Sequence, residues 1–170
     1  MNTYAGKRRV LRLAGGDVRD FLQGLVSNDV ARLDRGLVYA AMLTPQGKLI
    51  ADFFLQADGA DVLMDLPAEL AEGLAKRLTM YKLRADVTIG PTDLAVSRGT
   101  GAAPAGALPD PRDDRLGWRL IAPEAVEADD TDWDALHVAA MVPRWGRELG
   151  PDSYLLEMGF ERLAGGGFRK

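Results

Sequence analysis

Residues 37–56 constrain the fold more tightly than any other part of the chain. The run LVYAAML (37–43) is followed by TPQG (44–47) and then KLIADFFLQ (48–56). Pro at the second place and Gly at the fourth of TPQG fit a type I turn, so the two apolar runs read as the arms of a β-hairpin. One carboxylate, Asp52, interrupts the second arm. A half-buried acid on such a strand must find a hydrogen-bond donor or shift its pKa, although an alternating strand can also turn it to an exposed face.

The rest of the chain fills in around this hairpin. Val10, Leu11 and Leu13 form a short strand, and GGD at 15–17 turns it into a helix for which Asp17 is a suitable N-cap. Val18, Phe21, Leu22, Leu25 and Val26 recur at helical spacing on one apolar face. Ser27-Asn28-Asp29 ends that helix and can cap a short turn through Arg32. VLMDL (62–66) reads as a strand, and Pro67 suits the first position of a helix striped by Leu70, Leu74, Leu78 and Tyr81 to about Lys82. LRADVTI (83–89) and LAVSR (94–98) read as strands split by GPTD. The order β-α-β-β-β-α-β-β predicts an α+β fold with an antiparallel-rich sheet.

A first unit therefore spans 1–98. GTGAAPAGALP (99–109) reads as a linker or surface loop, and a second α+β unit occupies 110–170. Within it, DPRDDRLGWRLIA (110–122) gives a turn and a strand. Thr131 can cap a helix carrying Trp133, Leu136, Val138, Ala140 and Met141 until Pro143 stops it, and the remainder to Lys170 is loop-like.

Composition narrows the chemistry. A net charge of −4 without blocks of like charge argues against direct nucleic-acid binding and against a membrane-seeking basic face. No apolar run approaches the roughly 18 residues that span a bilayer, and MNTYAGKRRVLRL leads straight into a strand, which gives a cytoplasmic expectation. With no Cys and a single His, His137, thiolate metal sites and Cys nucleophiles are excluded within these residues, and no metal ligands are proposed. His137 reads as a structural or surface residue, and no phosphate-binding or hydrolase motif is present.

FLQGLVSNDV (21–30) followed by VYAAMLTPQGKLIADFFL (38–55) resembles the opening of the folate-binding superfamily that includes the aminomethyltransferase (T protein) of the glycine cleavage system. YKLRADVTI (81–89), DPRDDRLGWR (110–119) and PRWGREL (143–149) look more like its YgfZ-like branch. Those proteins are tetrahydrofolate-dependent factors in iron–sulfur cluster assembly and repair, with links to tRNA modification. GFERLAGGGFRK (159–170) resembles the lead-in to that branch's Lys-Gly-Cys-Tyr-x-Gly-Gln-Glu signature, with Lys170 as its first residue. The sequence then ends just before the Cys and the C-terminal barrel domain, so the barrel is expected to be absent and the second unit incomplete.

The resemblance implies small sheet-and-helix units around a central folate cavity. Folate needs an aromatic or apolar slot, a carboxylate for the pterin and cationic help for its glutamate tail. Tyr39 and Asp52 occupy places that resemble an aromatic and an acid of the T-protein site, with Asp52 also the candidate catalytic acid. Trp145 keeps an aromatic place and either stacks on the ligand or anchors its loop. Arg84 and Arg112 are candidates for the tail, and Arg112 also suits a tie to a neighbouring carboxylate. Asn28 and Asp29 match a superfamily pair whose physical reading is capping, and Glu157 matches a position before the signature.

Two departures bear on activity. Where T proteins show an acidic pair this chain reads Ala51-Asp52, and LHVAAMVPRWGREL (136–149) carries Ala139 and His137 where the transferase stretch has Glu and Arg. The expected function is a tetrahydrofolate-binding factor supporting iron–sulfur client proteins. The alternatives are a folate-dependent aminomethyl or one-carbon transferase and a structural remnant without ligand.

Overall fold

A computed structural model of the chain describes residues 7–154, so Glu157 and the Lys170 lead-in lie outside the described residues. Five strands form the main sheet: β1 (Arg8–Ala14), β2 (Val38–Leu43), β3 (Leu49–Asp58), β4 (Asp61–Pro67) and β5 (Thr88–Pro91), in the order β2-β3-β4-β1-β5. Every pairing is antiparallel. Helices α1 (Val18–Gln23) and α2 (Ala68–Tyr81) and a 3-10 turn at Val30–Asp34 complete this part. A second sheet has the order β6-β8-β7, from β6 (Ala95–Gly99), β7 (Leu108–Pro109) and β8 (Trp118–Ala122), and is followed by α3 (Trp133–Ala140). The α+β class and the order of elements through β6 agree with the sequence reading.

Strand periodicity gives the main sheet two unlike faces. Val38, Leu55, Met64 and Leu11 stand in register across one face, where they pack with Leu22 of α1 and Leu74 of α2. Tyr39, Phe54, Asp65 and Val10 stand in register across the other. That face is covered by residues of the second part, and Tyr39 and Phe54 cluster with Leu116, Val142 and Leu149. Two carboxylates on this face, Asp52 and Asp65, are therefore buried against the covering segments and not turned to water.

At the β2 edge, Ser27 and Asn28 occupy backbone groups. Ser27 N donates to the Ala41 carbonyl at 2.9 Å, the Ala41 amide donates to Ser27 Oγ at 2.8 Å, and Asn28 Nδ2 donates to the Tyr39 carbonyl at 3.0 Å. An edge so occupied is a poor template for pairing with another chain. Asp29 caps the 3-10 turn as expected, its side chain accepting from the Ala31 amide.

Several local readings are corrected. Residues 83–89 are not one strand: a turn occupies 82–86 and β5 starts at Thr88. The physical reason is Leu83, whose φ of 46° breaks extension. Asp17 sits at the N-cap of α1 without capping it, because its Oδ2 accepts instead from the Asp86 amide at 2.7 Å. The cap of α3 is Asp132, which accepts from the Ala135 amide, while the Thr131 hydroxyl is shared with Thr100.

The 99–109 segment is not loop throughout: Gly99 ends β6 and Leu108–Pro109 form β7, with only 100–107 between them, and β6 pairs with β8 along its whole length, from Ala95↔Ala122 to Gly99↔Trp118. The sheet thus joins a strand of the expected first unit to strands of the second. Just before β8, Gly117 passes close to the end of β6: its φ is 68° and a Cβ there would collide with the Gly99 carbonyl oxygen.

Candidate functional site

Asp52 lies on β3 two residues before Phe54, where pairing with β4 begins. The sheet opens at that place into a cleft of about 510 Å³. Asp52 and Phe54 form part of its floor, Pro67 and Glu69 at the start of α2 form one wall, and Trp145 and Gly146 form another. Lys7, Arg8, Arg112, Arg144 and Arg147 also border it, a concentration of positive charge in an acidic chain.

The carboxylate on the floor is held on one side only. Tyr39 Oη donates to Asp52 Oδ2 at 2.7 Å. Asp52 Oδ1 is buried and has no hydrogen-bond partner among the described residues, in a side chain whose residue is 5% exposed. A buried carboxylate oxygen without a donor costs roughly 1–3 kcal/mol or more, so this atom is poised to accept from an incoming N–H or O–H. Burial, reinforced by the Asp52 charge, pushes the Tyr39 phenol well above its ordinary range, with Arg112 opposing, so Tyr39 keeps its proton and remains a donor.

Arginines from three segments surround the floor. Arg112 forms a bidentate pair with Asp110, through Nε at 3.0 Å and Nη2 at 2.8 Å, and its guanidinium lies 5.3 Å from the Tyr39 ring and 4.7 Å from that of Phe54. This is the tie to a neighbouring carboxylate anticipated for Arg112. Asp65, beside Phe54 in register, accepts from Arg8 Nε at 2.7 Å and from Arg119 Nη2 at 2.6 Å, and the Arg119 guanidinium stacks 3.8 Å from the Phe54 centroid. Burial would raise the Asp65 carboxyl, but Arg8 and Arg119 outweigh it and hold it below the usual range. Burial acts on Asp110 in the same way and Arg112 overcomes it.

Trp145 reaches across the cleft, its Nε1 donating to Glu69 Oε1 at 2.8 Å, which joins the loop after α3 to the first turn of α2. Arg144 and Arg147 on the same loop both reach Asp134, at 2.9 Å and 3.5 Å. The structure thus brings together Tyr39, Asp52, Trp145 and Arg112 but not Arg84. Arg84 is exposed on the turn after α2, and that turn lies at the opposite end of the helix from Glu69.

His137 is buried and structural. Because Arg98 can only donate, His137 Nε2 accepts from Arg98 Nη1 at 2.8 Å, which leaves Nδ1 as the donor to the Val142 carbonyl at 3.0 Å. Burial first, and the Arg112 charge next, lower its pKa to about 3. Ala139 is exposed, and its carbonyl accepts from Arg115. Ala51 faces the helix-packed core, so an acid there would point away from Asp52 into apolar packing.

Asp65, Arg119 and Arg8 were not singled out from the sequence, yet VLMDL and GWRLIA carry the same signal as IADFFL, a charge inside an apolar strand. Among the described residues no cluster of His, Asp or Glu could hold a metal ion, and no helix is long and apolar enough to cross a membrane.

No family model matches the chain. The mitochondrial iron-sulfur cluster assembly factor IBA57 homolog of Pyricularia oryzae is 30% identical over 137 residues, covering 71% of this chain and 35% of its own. The mitochondrial IBA57 of Homo sapiens is 29% identical over 144 residues, and that of Mus musculus 28% over 145, each covering 67% of this chain and 40% of its own. The chain therefore spans little more than a third of the length of these relatives. A solved chain of the glycine cleavage system aminomethyltransferase T from Bartonella henselae overlaps 52% of this chain and 25% of its own, with a TM-score of 0.49 and 14% identity. The cytoplasmic location expected from the sequence is corrected, since these assembly-factor relatives are named as mitochondrial. Over about two thirds of its length the chain is thus similar to mitochondrial iron-sulfur cluster assembly factors, in keeping with the superfamily expected from its sequence segments and without singling out the YgfZ-like branch.

Proposed function

We propose that the cleft binds tetrahydrofolate and that the chain is the folate-binding part of a factor that supports iron–sulfur cluster assembly or repair in client proteins, in the manner of the YgfZ-like branch. The observation that carries the reading is the buried, half-satisfied Asp52 beneath a rim of cations. A pterin offers ring N–H and amino donors that suit Asp52 Oδ1, and Trp145 offers an indole face for stacking. The anionic glutamate tail suits Lys7, Arg8 and Arg147, where Arg112 and Arg144 add to the field.

Tetrahydrofolate bound there would supply a one-carbon carrier. The chain's residues bind and orient it: Tyr39 fixes one oxygen of Asp52, Phe54 lines the floor, and Arg112 and Arg119 brace the ring of Phe54. The names of the relatives, which share about two thirds of this chain, support the iron–sulfur role over the transferase. The transferase reading retains Asp52 as its candidate acid, but Ala51 leaves one acid in place of the T-protein pair and Ala139 supplies no carboxylate.

Isothermal titration with tetrahydrofolate tests the reading. Saturable heat at micromolar ligand is expected, and no heat at tens of micromolar sinks both folate readings in favour of a ligand-free remnant. A glycine-cleavage assay then separates the other two, because turnover dependent on Asp52 could not come from a pure binding factor.

A further inference from the structure

The far end of α2 carries a feature that the cleft does not use. Met80, Tyr81 and Leu83 are 67%, 42% and 85% exposed and lie together where the helix gives way to the 82–86 turn. Apolar side chains clustered in water contribute nothing to the core, and such a patch is a mark of an interaction surface. Leu83 is also held with φ at 46°, a backbone state that costs a residue with a Cβ about 1–2 kcal/mol. The turn is fixed at both ends. Lys82 N donates to the Leu78 carbonyl at 3.0 Å and Ala85 N to the Lys82 carbonyl at 2.7 Å. Asp86 is clamped to the 15–17 turn, its amide donating to Asp17 Oδ2 at 2.7 Å and its Oδ2 accepting from the Gly16 amide at 2.9 Å. Strain maintained by its surroundings points to function, and a preordered apolar tip loses little entropy on binding.

The charges around the tip say what it would take. Arg77, Lys82 and Arg84 flank it, and among the described residues Lys82 and Arg84 have no ion-pair partner. Arg77 donates to Tyr81 Oη at 3.3 Å, which holds the phenol beside the basic side chains. The nearby acids, Asp17 and Asp86, keep their charge but are each held by a backbone amide, and the three cations outnumber them. In a chain of net charge −4 this is a locally basic tip with an apolar centre. We infer that Met80, Tyr81 and Leu83, ringed by Arg77, Lys82 and Arg84, form a docking surface for an acidic segment of a partner protein that carries large apolar side chains. The surface stands about 20 Å along α2 from Glu69 and the cleft, as the helical rise over that helix requires. It is independent of the folate reading.

The test is selection of displayed random peptides on the intact protein, followed by binding of the enriched peptides to wild type, Leu83→Ser and the double variant Lys82→Glu/Arg84→Glu. Enriched peptides should combine net negative charge with Leu, Phe or Trp. Their affinity should fall about tenfold or more in each variant, a difference of about 1.4 kcal/mol, and should weaken as salt screens the basic side chains. Leu83 and Arg84 are exposed and Lys82 is half-buried, and none of the three belongs to the core, so melting within a few degrees of wild type is expected to accompany the loss. Peptides that are not acidic, that bind both variants like wild type, or that fail to enrich overturn the inference. So does a Leu83-dependent association with phosphatidylserine vesicles, which would make the tip a membrane contact, or a Leu83-dependent dimer, which would make it a self-interface.

Discussion

Acidification should loosen this fold through one side chain, His137. Its ring is buried between Arg98, which donates to Nε2 at 2.8 Å, and the Val142 carbonyl, which accepts from Nδ1 at 3.0 Å. A proton added at Nε2 would replace that acceptor by an N–H facing a guanidinium, with the Arg112 charge also near. The folded pKa is lowered to about 3, against about 6.5 in an unfolded chain. Between those values the unfolded state takes up a proton that the folded state refuses, so stability is complete above about pH 6.5 and falls as the pH drops. The slope is at most about 1.4 kcal/mol per unit, which gives a loss of about 2 kcal/mol from pH 7 to pH 5. Asp65 and Asp110 do not interfere in that window. Their carboxyls are depressed below the ordinary value of 3.8, so their contribution is retained until the pH falls beneath it. Urea unfolding at pH 7, 6 and 5 measures the effect in wild type and in His137→Gln, which can still accept from Arg98 and donate to Val142 without titrating. The variant should lose less than about 0.5 kcal/mol over the same range. A flat wild-type profile, or an equal loss in both proteins, refutes the reasoning.

Other substitutions probe the layers beneath the cleft. Asp65→Asn leaves Arg119 and Arg8 without their anion under Phe54, and should cost about 3–5 kcal/mol in urea unfolding, as expected for breaking a buried pair. Gly117→Ala drives a Cβ against the Gly99 carbonyl and strains a positive φ, so a fall of about 1–3 kcal/mol in the same assay is expected. Leu22→Ala, in the core beneath α1, should cost about 2–5 kcal/mol, and a value near zero would contradict the burial assigned to it. Trp145→Ala removes a cleft wall that also packs on the cluster of Tyr39 and Phe54 and ties to Glu69, so calorimetry should show weaker tetrahydrofolate binding together with a lowered melting temperature.

Much of the fold was legible because its signals are local. The 37–56 hairpin has two apolar runs around a turn, α2 has its leucine stripe, and the strands fall between turn residues. What was not legible depends on partners far along the chain. Asp17 reads as a cap until the Asp86 amide, 69 residues away, takes its oxygen. Residues 83–89 read as one strand because nothing local shows that the clamp on Asp86 leaves Leu83 in a left-handed turn. Within the site, Tyr39 and Asp52 were found by resemblance and are hydrogen-bonded to each other. The Asp65 network escaped notice because Arg119 reaches it across 54 positions, from a sheet whose position over Phe54 no periodicity encodes. Arg84 was placed near the ligand by its charge alone, and the same turn that interrupts the strand carries it away from the cleft.

The central claim is that a folate sits over the free oxygen of Asp52. The direct measurement is a pair of calorimetric titrations with tetrahydrofolate, of wild type and of Asp52→Asn, which preserves shape and can still accept from Tyr39. A hydrogen bond to a charged acceptor contributes about 1.5–3 kcal/mol, so the dissociation constant should rise by about tenfold to a hundredfold with the fold intact. Equal affinity in the two proteins would contradict the account, because the ligand would then be held somewhere other than over Asp52.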